Sequence, residues 1–375
     1  MDTRALAMAA AALTALGTEL AQAVSLPEQA QISIKAMDYQ DSQEGAQRIR
    51  VKALSTQAIL PVGASWSLEV GSVVDAISGA SPAYYTAPQS FADVHDKRRA
   101  YDLKAAYHWQ GQRLSLGMAR SNEADYLSTS HLLGYAASTA DNNTTLELGA
   151  AITRDTINPV TQQVVNQKKD SHDLLISLTR VLTPSDLVQV QWVHTQGRGY
   201  YSDPYKFLDT RPDHKRANAI AMRWNHHMPD TRTTARWSAR ATHDSFGIRS
   251  ATLGLDLAQS LPAQWTLTPG VRFYSQSSAR FFSPPSPSGK GYPVIPPDFQ
   301  LGQTPISFDQ RLAAYGALTW ALKLEKQLTP HTQIDIKLDR YQQRNAWSLH
   351  GPEVTGLAHF KARYIQLGLT HRFGP

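Results

Sequence analysis

The sequence predicts an all-β chain: a transmembrane antiparallel β-barrel of about 16 strands, with short periplasmic turns and long extracellular loops. Three observations predict it. The first is a hairpin whose residues alternate in kind. Leu318, Trp320, Leu322 and Leu324 alternate with Thr319, Ala321, Lys323 and Glu325; after the turn Thr329-Pro330-His331-Thr332, Ile334, Ile336 and Leu338 alternate with Gln333, Asp335, Lys337 and Asp339. A period of two puts the apolar set on one face and the charged set on the other. The second is that this pattern recurs along the chain, in segments joined alternately by short turns and longer loops. The third is an N-terminal leader. A soluble sandwich would bury the apolar face, whereas a membrane barrel gives it to lipid and turns the polar face to an aqueous lumen. The leader and the one-sided loops favour the barrel.

The elements follow in order. Arg4 precedes the alanine- and leucine-rich stretch 5–16, and Ala21-Gln22-Ala23 has the form of a cleavage site. Residues 1–23 therefore read as a secretory signal peptide and 24–375 as the barrel. Strand-like segments, near ten residues each, fall at 31–40, 48–60, 66–76, 99–109, 113–122, 126–137, 144–155, 171–182, 187–197, 217–227, 232–243, 248–260, 265–275, 311–326, 333–343 and 360–373. Every second joint is short and turn-rich, as in Gln110-Gly111-Gln112, Thr183-Pro184-Ser185-Asp186, Met228-Pro229-Asp230 and Leu261-Pro262-Ala263. The longer joints are 77–98, 156–170, 198–216, 276–310 and 344–359, and the proline-rich stretch 283–297 reads as an extended loop. Trp66, Trp109, Trp192, Trp224, Trp237, Trp265 and Trp320 are spread over the strands as an interfacial band would be. The last strand sends Ile365, Leu367 and Leu369 outward and ends on the aromatic Phe373, the usual form of a barrel-assembly signal.

Composition narrows the function. The 375 residues are 42% hydrophobic and carry a formal net charge of +6. Outside the N-terminus there is no apolar run of about 18 residues, so no helical span is expected. The absence of cysteine excludes disulfides, thiolate metal sites, cysteine nucleophiles and c-type haem. No basic run interleaved with aromatics accompanies the positive charge, which argues against nucleic acid and suits contact with the lipid bilayer and lipopolysaccharide.

Four groups of residues are candidates for chemistry. Arg232, Arg236 and Arg240 are spaced to share the lumen face of one strand, with Arg223 on the strand before and Arg272 further on. Glu69, Asp75, Asp102, Glu147, Asp256, Asp335 and Asp339 are the available counter-charges. Such a set is either a salt-bridge lattice filling the lumen or a basic face that draws anionic solutes. An inward fold of 77–98 or 276–310 would sharpen it. In the loops, Tyr84 and Tyr85 and then Tyr200, Tyr201, Asp203, Tyr205 and Lys206 either pack on themselves or form a partner surface at the barrel mouth. Glu123 and Asp125, with Asp93, Asp96 and Asp203, are either solvated turn residues or ligands for a cation such as Ca²⁺. His95, His131, His194 and His243 are the histidines to consider for hydrolysis, but there is no G-x-S-x-G elbow and no H-E-x-x-H. No enzyme, cofactor or metal site is expected from these motifs.

The segments Ser78-Gly79-Ala80-Ser81-Pro82-Ala83-Tyr84-Tyr85, Asp96-Lys97-Arg98-Arg99-Ala100, Ser121-Asn122-Glu123-Ala124-Asp125-Tyr126-Leu127-Ser128 and Gly199-Tyr200-Tyr201-Ser202-Asp203-Pro204-Tyr205-Lys206 resemble a domain-of-unknown-function family of bacterial outer-membrane barrels. The resemblance implies the barrel and an outer-membrane location. It also implies a neighbourhood of thioredoxin-like and flavin-transferase proteins, hence a link to extracytoplasmic redox work that no residue here supports. The expected role is a channel for small polar solutes. A scaffold for an envelope complex and a membrane-embedded hydrolase are the alternatives.

Overall fold

The computed structural model describes residues 24–374 apart from 44–45, 83–89, 207, 287–293, 352 and 355. Of residues 46, 77, 79–82 and 90–95 only the backbone is described. The expected signal peptide and the pair Tyr84 and Tyr85 thus lie outside the described residues.

Among the described residues sixteen strands form one closed antiparallel barrel, each paired with the next and the first with the last. They are β1 (Ala30–Gln43), β2 (Ala46–Val62), β3 (Trp66–Pro82), β4 (Ser90–Trp109), β5 (Gln112–Asn122), β6 (Tyr126–Ser138), β7 (Thr144–Ile157), β8 (Gln167–Thr183), β9 (Asp186–Gly199), β10 (His214–Met228), β11 (Thr233–Asp244), β12 (Arg249–Leu261), β13 (Trp265–Gln276), β14 (Tyr315–Thr329), β15 (Thr332–Arg344) and β16 (Phe360–Phe373). Strand number, order and the placing of the short turns agree with the sequence reading.

Strand length does not. The strands run from 11 residues in β5 to 20 in β4. The joint expected at 77–98 is largely ladder, with β3 continuing to Pro82 and β4 beginning at Ser90. The inward ion pair Asp75–Arg98, at 2.6 Å, ties the two strands at the base of this extension. An apolar band about 25 Å tall needs only about 9–11 tilted residues. The excess stands above it at the long-loop end.

Alternation sorts the side chains. On β14 and β15, Trp320, Leu322, Ile334, Ile336 and Leu338 point out of the barrel and are exposed, Trp320 by 57%. The lumen side of the same hairpin holds the ion pairs Lys323–Glu325 (2.7 Å) and Lys337–Asp339 (3.1 Å). Trp66, Tyr107, Trp109 and Tyr135 form an aromatic row near the short-turn end, with successive ring centroids 5.0, 5.5 and 6.4 Å apart. Trp320 instead pairs in register with Arg340, toward the long-loop end, so it marks the other boundary of the band. Leu322 lies between these limits, opposite Leu338. Leu322→Arg is expected to cost about 2–4 kcal/mol of folding free energy into liposomes. The check is the urea midpoint; an unchanged midpoint would mean that this face does not meet lipid.

The loops at the long-loop end pack together. Residues 277–286 and 306–314, both from the β13–β14 connection, meet described residues of the 200–213, 245–248 and 345–359 loops. Thr210 and Ile306 exchange backbone hydrogen bonds of 2.8 and 2.9 Å, and Ser307 donates to the Phe281 carbonyl at 2.9 Å. Ile306, Phe308, Ala313 and Leu357 form one small core; Tyr201, Phe246, Ala279 and Leu312 form a second. The proline-rich stretch expected to be extended is pinned at its described ends, where Val294 donates to the Pro284 carbonyl at 3.2 Å.

Candidate functional site: the lumen wall and its mouth

The lumen face of β10–β13 follows directly from register. Arg223 is the cross-strand partner of Ser238, Ser238 of Gly254 and Gly254 of Arg272. Arg236 and Arg240 lie one inward step to either side of Ser238 on β11. Four guanidinium groups therefore share one patch of wall, around two small residues. Arg236, Ser238 and Arg240 are exposed, so this side of the lumen is open.

Arg232 does not belong to the patch. The sequence placed it on the same strand face, but the turn after Met228 runs one step longer than expected. Arg232 closes it with a left-handed backbone (φ 53°), its amide donating to the Pro229 carbonyl at 3.1 Å. It is exposed at the short-turn end.

The expected counter-charges are mostly taken elsewhere. Glu69 pairs with Lys104 (2.7 Å), Asp75 with Arg98 (2.6 Å), Glu147 with Arg113 (3.2 Å) and Asp339 with Lys337 (3.1 Å). Lys169–Asp155 and Lys215–Asp244, each at 3.2 Å, add further lumen pairs. Among the described residues Arg236, Arg240 and Arg272 form no salt bridge, and Arg272 has only a 3.5 Å hydrogen bond to Thr319. Arg223 donates to Gln189 at 3.4 Å. Asp256 is opposite Arg236 in register but lies against Gly270, where a Cβ would come within 2.1 Å of its carboxylate oxygen. The salt-bridge lattice thus covers part of the wall and leaves the β11–β13 side cationic.

Above this wall the mouth is crossed by a buried charge network. Asp309 is 1% exposed and accepts from Arg311 Nε at 2.9 Å and from Arg211 Nη2 at 3.0 Å. Arg211 also grips Asp209 with two bonds of 2.7 and 2.8 Å, and Arg311 reaches Asp203 at 2.5 Å. Gln310, between them, receives a 2.5 Å hydrogen bond from Gln43 at the end of β1. On a ring of sixteen, β1 and β9 are diametrically opposed. A segment touching both Gln43 and Asp203, in the loop that follows β9, has to span the opening. Arg48 joins from the β1 side. A bulge between Gln40 and Ser42 turns it inward, 4.0 Å from Asp41 and 5.3 Å over the Phe360 ring.

Burial alone would raise the Asp309 carboxyl, but Arg311, Lys206 and Arg211 outweigh it and hold the group well below its ordinary range. Burial wins at Asp209, whose carboxyl is raised despite Arg211. Burial likewise lowers the Lys206 ammonium.

The loop residues proposed as a partner surface are part of this mouth. Tyr201 is buried edge-on against Phe246, 5.8 Å between centroids. Tyr200 packs on Tyr126 and Ile157. The Tyr205 hydroxyl donates to Asp125 at 2.6 Å, and burial raises its pKa. None of Tyr200, Tyr201, Asp203, Tyr205 and Lys206 is exposed. The segment is an internal fixture because its aromatic rings and charges find partners within the loop cluster. Asp96, Glu123 and Asp125 do come together, with carboxylate oxygens within 4.8 Å. Asp96 already accepts from the Lys97 and Ala124 amides, and Asp203 is held by Arg311 instead.

Of the histidines, His131 and His243 face out, His194 faces out toward Asn218 (2.9 Å), and the His95 side chain lies outside the description. A Ser–His contact the sequence reading did not single out, Ser67 to His108 at 2.8 Å, is buried at the short-turn end. The other ring nitrogen of His108 meets the Val24 carbonyl at 3.0 Å, so the pair pins Val24 inside the barrel.

Comparisons agree with this architecture. The chain matches a bacterial polysaccharide outer-membrane secretin with a TM-score of 0.54 at 8% identity, over 93% of this chain and 100% of that one. It also matches the monoaromatic hydrocarbon channel CymD (TM-score 0.46, 10% identity, 95% and 91% coverage). The siderophore receptor PirA from Pseudomonas aeruginosa matches with a TM-score of 0.46 at 10% identity, over 93% and 81% of the two chains. At 8% identity the likeness to the secretin extends to the fold alone. No curated protein matches the chain. The family model "Protein of unknown function (DUF3570)" matches residues 3–94 and 86–368. With nearly its whole length matched, and folded as an outer-membrane type barrel, the chain belongs to the DUF3570 family.

Proposed function

We propose that the protein is an outer-membrane channel for small polar solutes, anions above all, with a mouth narrowed by the 306–314 segment. The supporting observation is the exposed cationic wall of Arg236, Arg240 and Arg272, with Arg223 beside them, in a lumen whose other charges are largely paired. A cationic wall inside a low-dielectric ring concentrates anions and repels cations. The reaction class is none: solutes diffuse, and the protein supplies a charged, water-filled path.

A second reading, a closed barrel serving as scaffold for an envelope complex, draws on one observation: the Asp309 network crosses the mouth. Planar-bilayer recording separates the two. The channel reading expects discrete conductance steps and, under a KCl gradient, a zero-current potential of the sign set by chloride. Folded barrels that insert and give no steps would favour the scaffold.

A further inference from the structure

The outer wall of β15, β16, β1 and β2 turns from apolar to charged toward the long-loop end, one step lower on β1 and β2, where Asp38 and Lys52 lie in register with Ile365 and Leu338. Toward the short-turn end the outward residues are apolar: Leu338, Ile365 and Leu367, and Leu54 on β2. One outward step on, Arg340 is the cross-strand partner of Arg363, Arg363 of Gln40, and Gln40 of Arg50. Lys361 lies one further outward step up β16, and Lys52 one step below Arg50. All five cations are exposed. Neighbouring strands are about 4.8 Å apart and alternate residues about 6.8 Å apart along a strand. Arg340, Arg363 and Lys361 therefore fall within reach of one headgroup.

Like charges placed directly opposite each other on a sheet are destabilising. Arg340 and Arg363 are so placed, and no carboxylate of the described residues pairs with either of them or with Lys361. Arg50 differs, since Asp38 neutralises it at 2.6 Å. Arg363 is oriented by a 2.5 Å bond to Gln40. Between these strands a groove of about 500 Å³ is lined by Gln40, Ser42, Gln47, Arg340, Lys361 and Arg363, with Asp41 at its floor, where that carboxylate is turned to Arg48 at 4.0 Å. Trp320, the partner of Arg340 on β14, sets this row at the boundary of the apolar band.

We propose that this wall binds the phosphorylated headgroup of lipopolysaccharide. Arg340, Arg363 and Lys361 hold phosphate oxygens, Gln40 and Gln47 face the sugar, and acyl chains lie on Leu338, Ile365 and Leu367. The assignment rests on the outer-membrane reading, which puts the long-loop end in the outer leaflet. Three cations, two of them an unneutralised arginine pair, fit a headgroup bearing more than one phosphate better than a single phosphodiester. Arginine forks match phosphate geometry, and the two arginines are already aligned by the ladder.

The test uses the full barrel in nanodiscs, with heat-modifiable gel mobility confirming the fold independently of binding. Lipopolysaccharide, dephosphorylated lipopolysaccharide and phosphatidylglycerol are titrated against wild type and the triple variant Arg340→Gln, Lys361→Gln, Arg363→Gln. The proposal expects the triple variant to bind lipopolysaccharide at least tenfold more weakly. It expects dephosphorylated lipopolysaccharide and phosphatidylglycerol to bind wild type at that weaker level. Lys361→Gln alone, which leaves the ladder untouched, is expected to lose affinity by a smaller factor. Equal binding by wild type and a folded triple variant overturns the site. Equal binding of the dephosphorylated form overturns the phosphate contact, and equal binding of phosphatidylglycerol overturns lipopolysaccharide as its source. A barrel that fails to fold or insert strikes the outer-membrane reading instead.

Discussion

Asp309→Asn is expected to open the mouth. The wild-type carboxylate is buried and receives both Arg211 and Arg311. Removing its charge while keeping its shape leaves two guanidinium groups facing each other with one acceptor fewer. Breaking a buried pair in this way costs about 3–5 kcal/mol, roughly two to four decades in the docked-to-undocked ratio of the loop. The cost falls on the 306–314 segment, not on the ladders, so the barrel should keep its thermal stability. Single-channel recordings should show larger steps, and thermal melts should be unchanged. A variant with wild-type steps would mean that the network does not set the opening.

Acid is the milder version of the same experiment. The Asp309 carboxyl is held below its unfolded value, so its stabilisation is fully present above about pH 4. It is lost only as pH falls through the lower folded value. Asp209 works the other way: its raised carboxyl lets the docked loop take up a proton more readily, so mild acidification favours docking. Both signs predict a mouth that stays narrowed between about pH 7 and about pH 5 and releases only in stronger acid.

Replacing Arg223, Arg236, Arg240 and Arg272 together by Gln is expected to reverse the ion preference. Substituting glutamine keeps length and polarity while removing four positive charges from one stretch of wall. Asp256 and Asp335, which form no salt bridge among the described residues, remain, so the local sign inverts. About 1.4 kcal/mol of differential interaction between anion and cation is tenfold in permeability ratio, a shift four charges at the wall can supply in a low-dielectric ring. The zero-current potential under a salt gradient should change sign. Arg232→Gln is the internal control, since Arg232 sits in an end turn and should leave the potential as it was. A quadruple variant that keeps the wild-type sign would place selectivity elsewhere, most directly in the mouth.

The barrel was legible because it forces a binary choice on every strand residue. Lipid on one side and water on the other impress the period of two on the chain, which is why the segments, their order and the short turns could be read locally. Strand ends were not legible, since above the apolar band both faces meet water and the alternation loses its cause; β3 runs on to Pro82 and β4 begins as early as Ser90 for that reason. Arg232 was misplaced by one turn residue. Arg48 was hidden by a bulge that reverses the facing expected from parity. The mouth network joins residues 98 and 108 positions apart in loops without periodicity. One signal was nevertheless present. Asp209-Thr210-Arg211 and Asp309-Gln310-Arg311 are the same Asp-x-Arg tripeptide in two long loops, and in each the aspartate binds the arginine two residues on.

The seam between the first and last strands has a further consequence. Its register is unbroken from Ala30 opposite Phe373 to Gln43 opposite Phe360, and Ser33 and Thr370 add a side-chain bond of 3.0 Å. A ring closed this way offers no free edge for another chain to extend and no end from which to fray. Extracting any strand means breaking two ladders at once, in a solvent that gives the freed amides nothing to bond. Persistence is then a matter of rate: the folded ring outlives its surroundings because its first step apart is so steep.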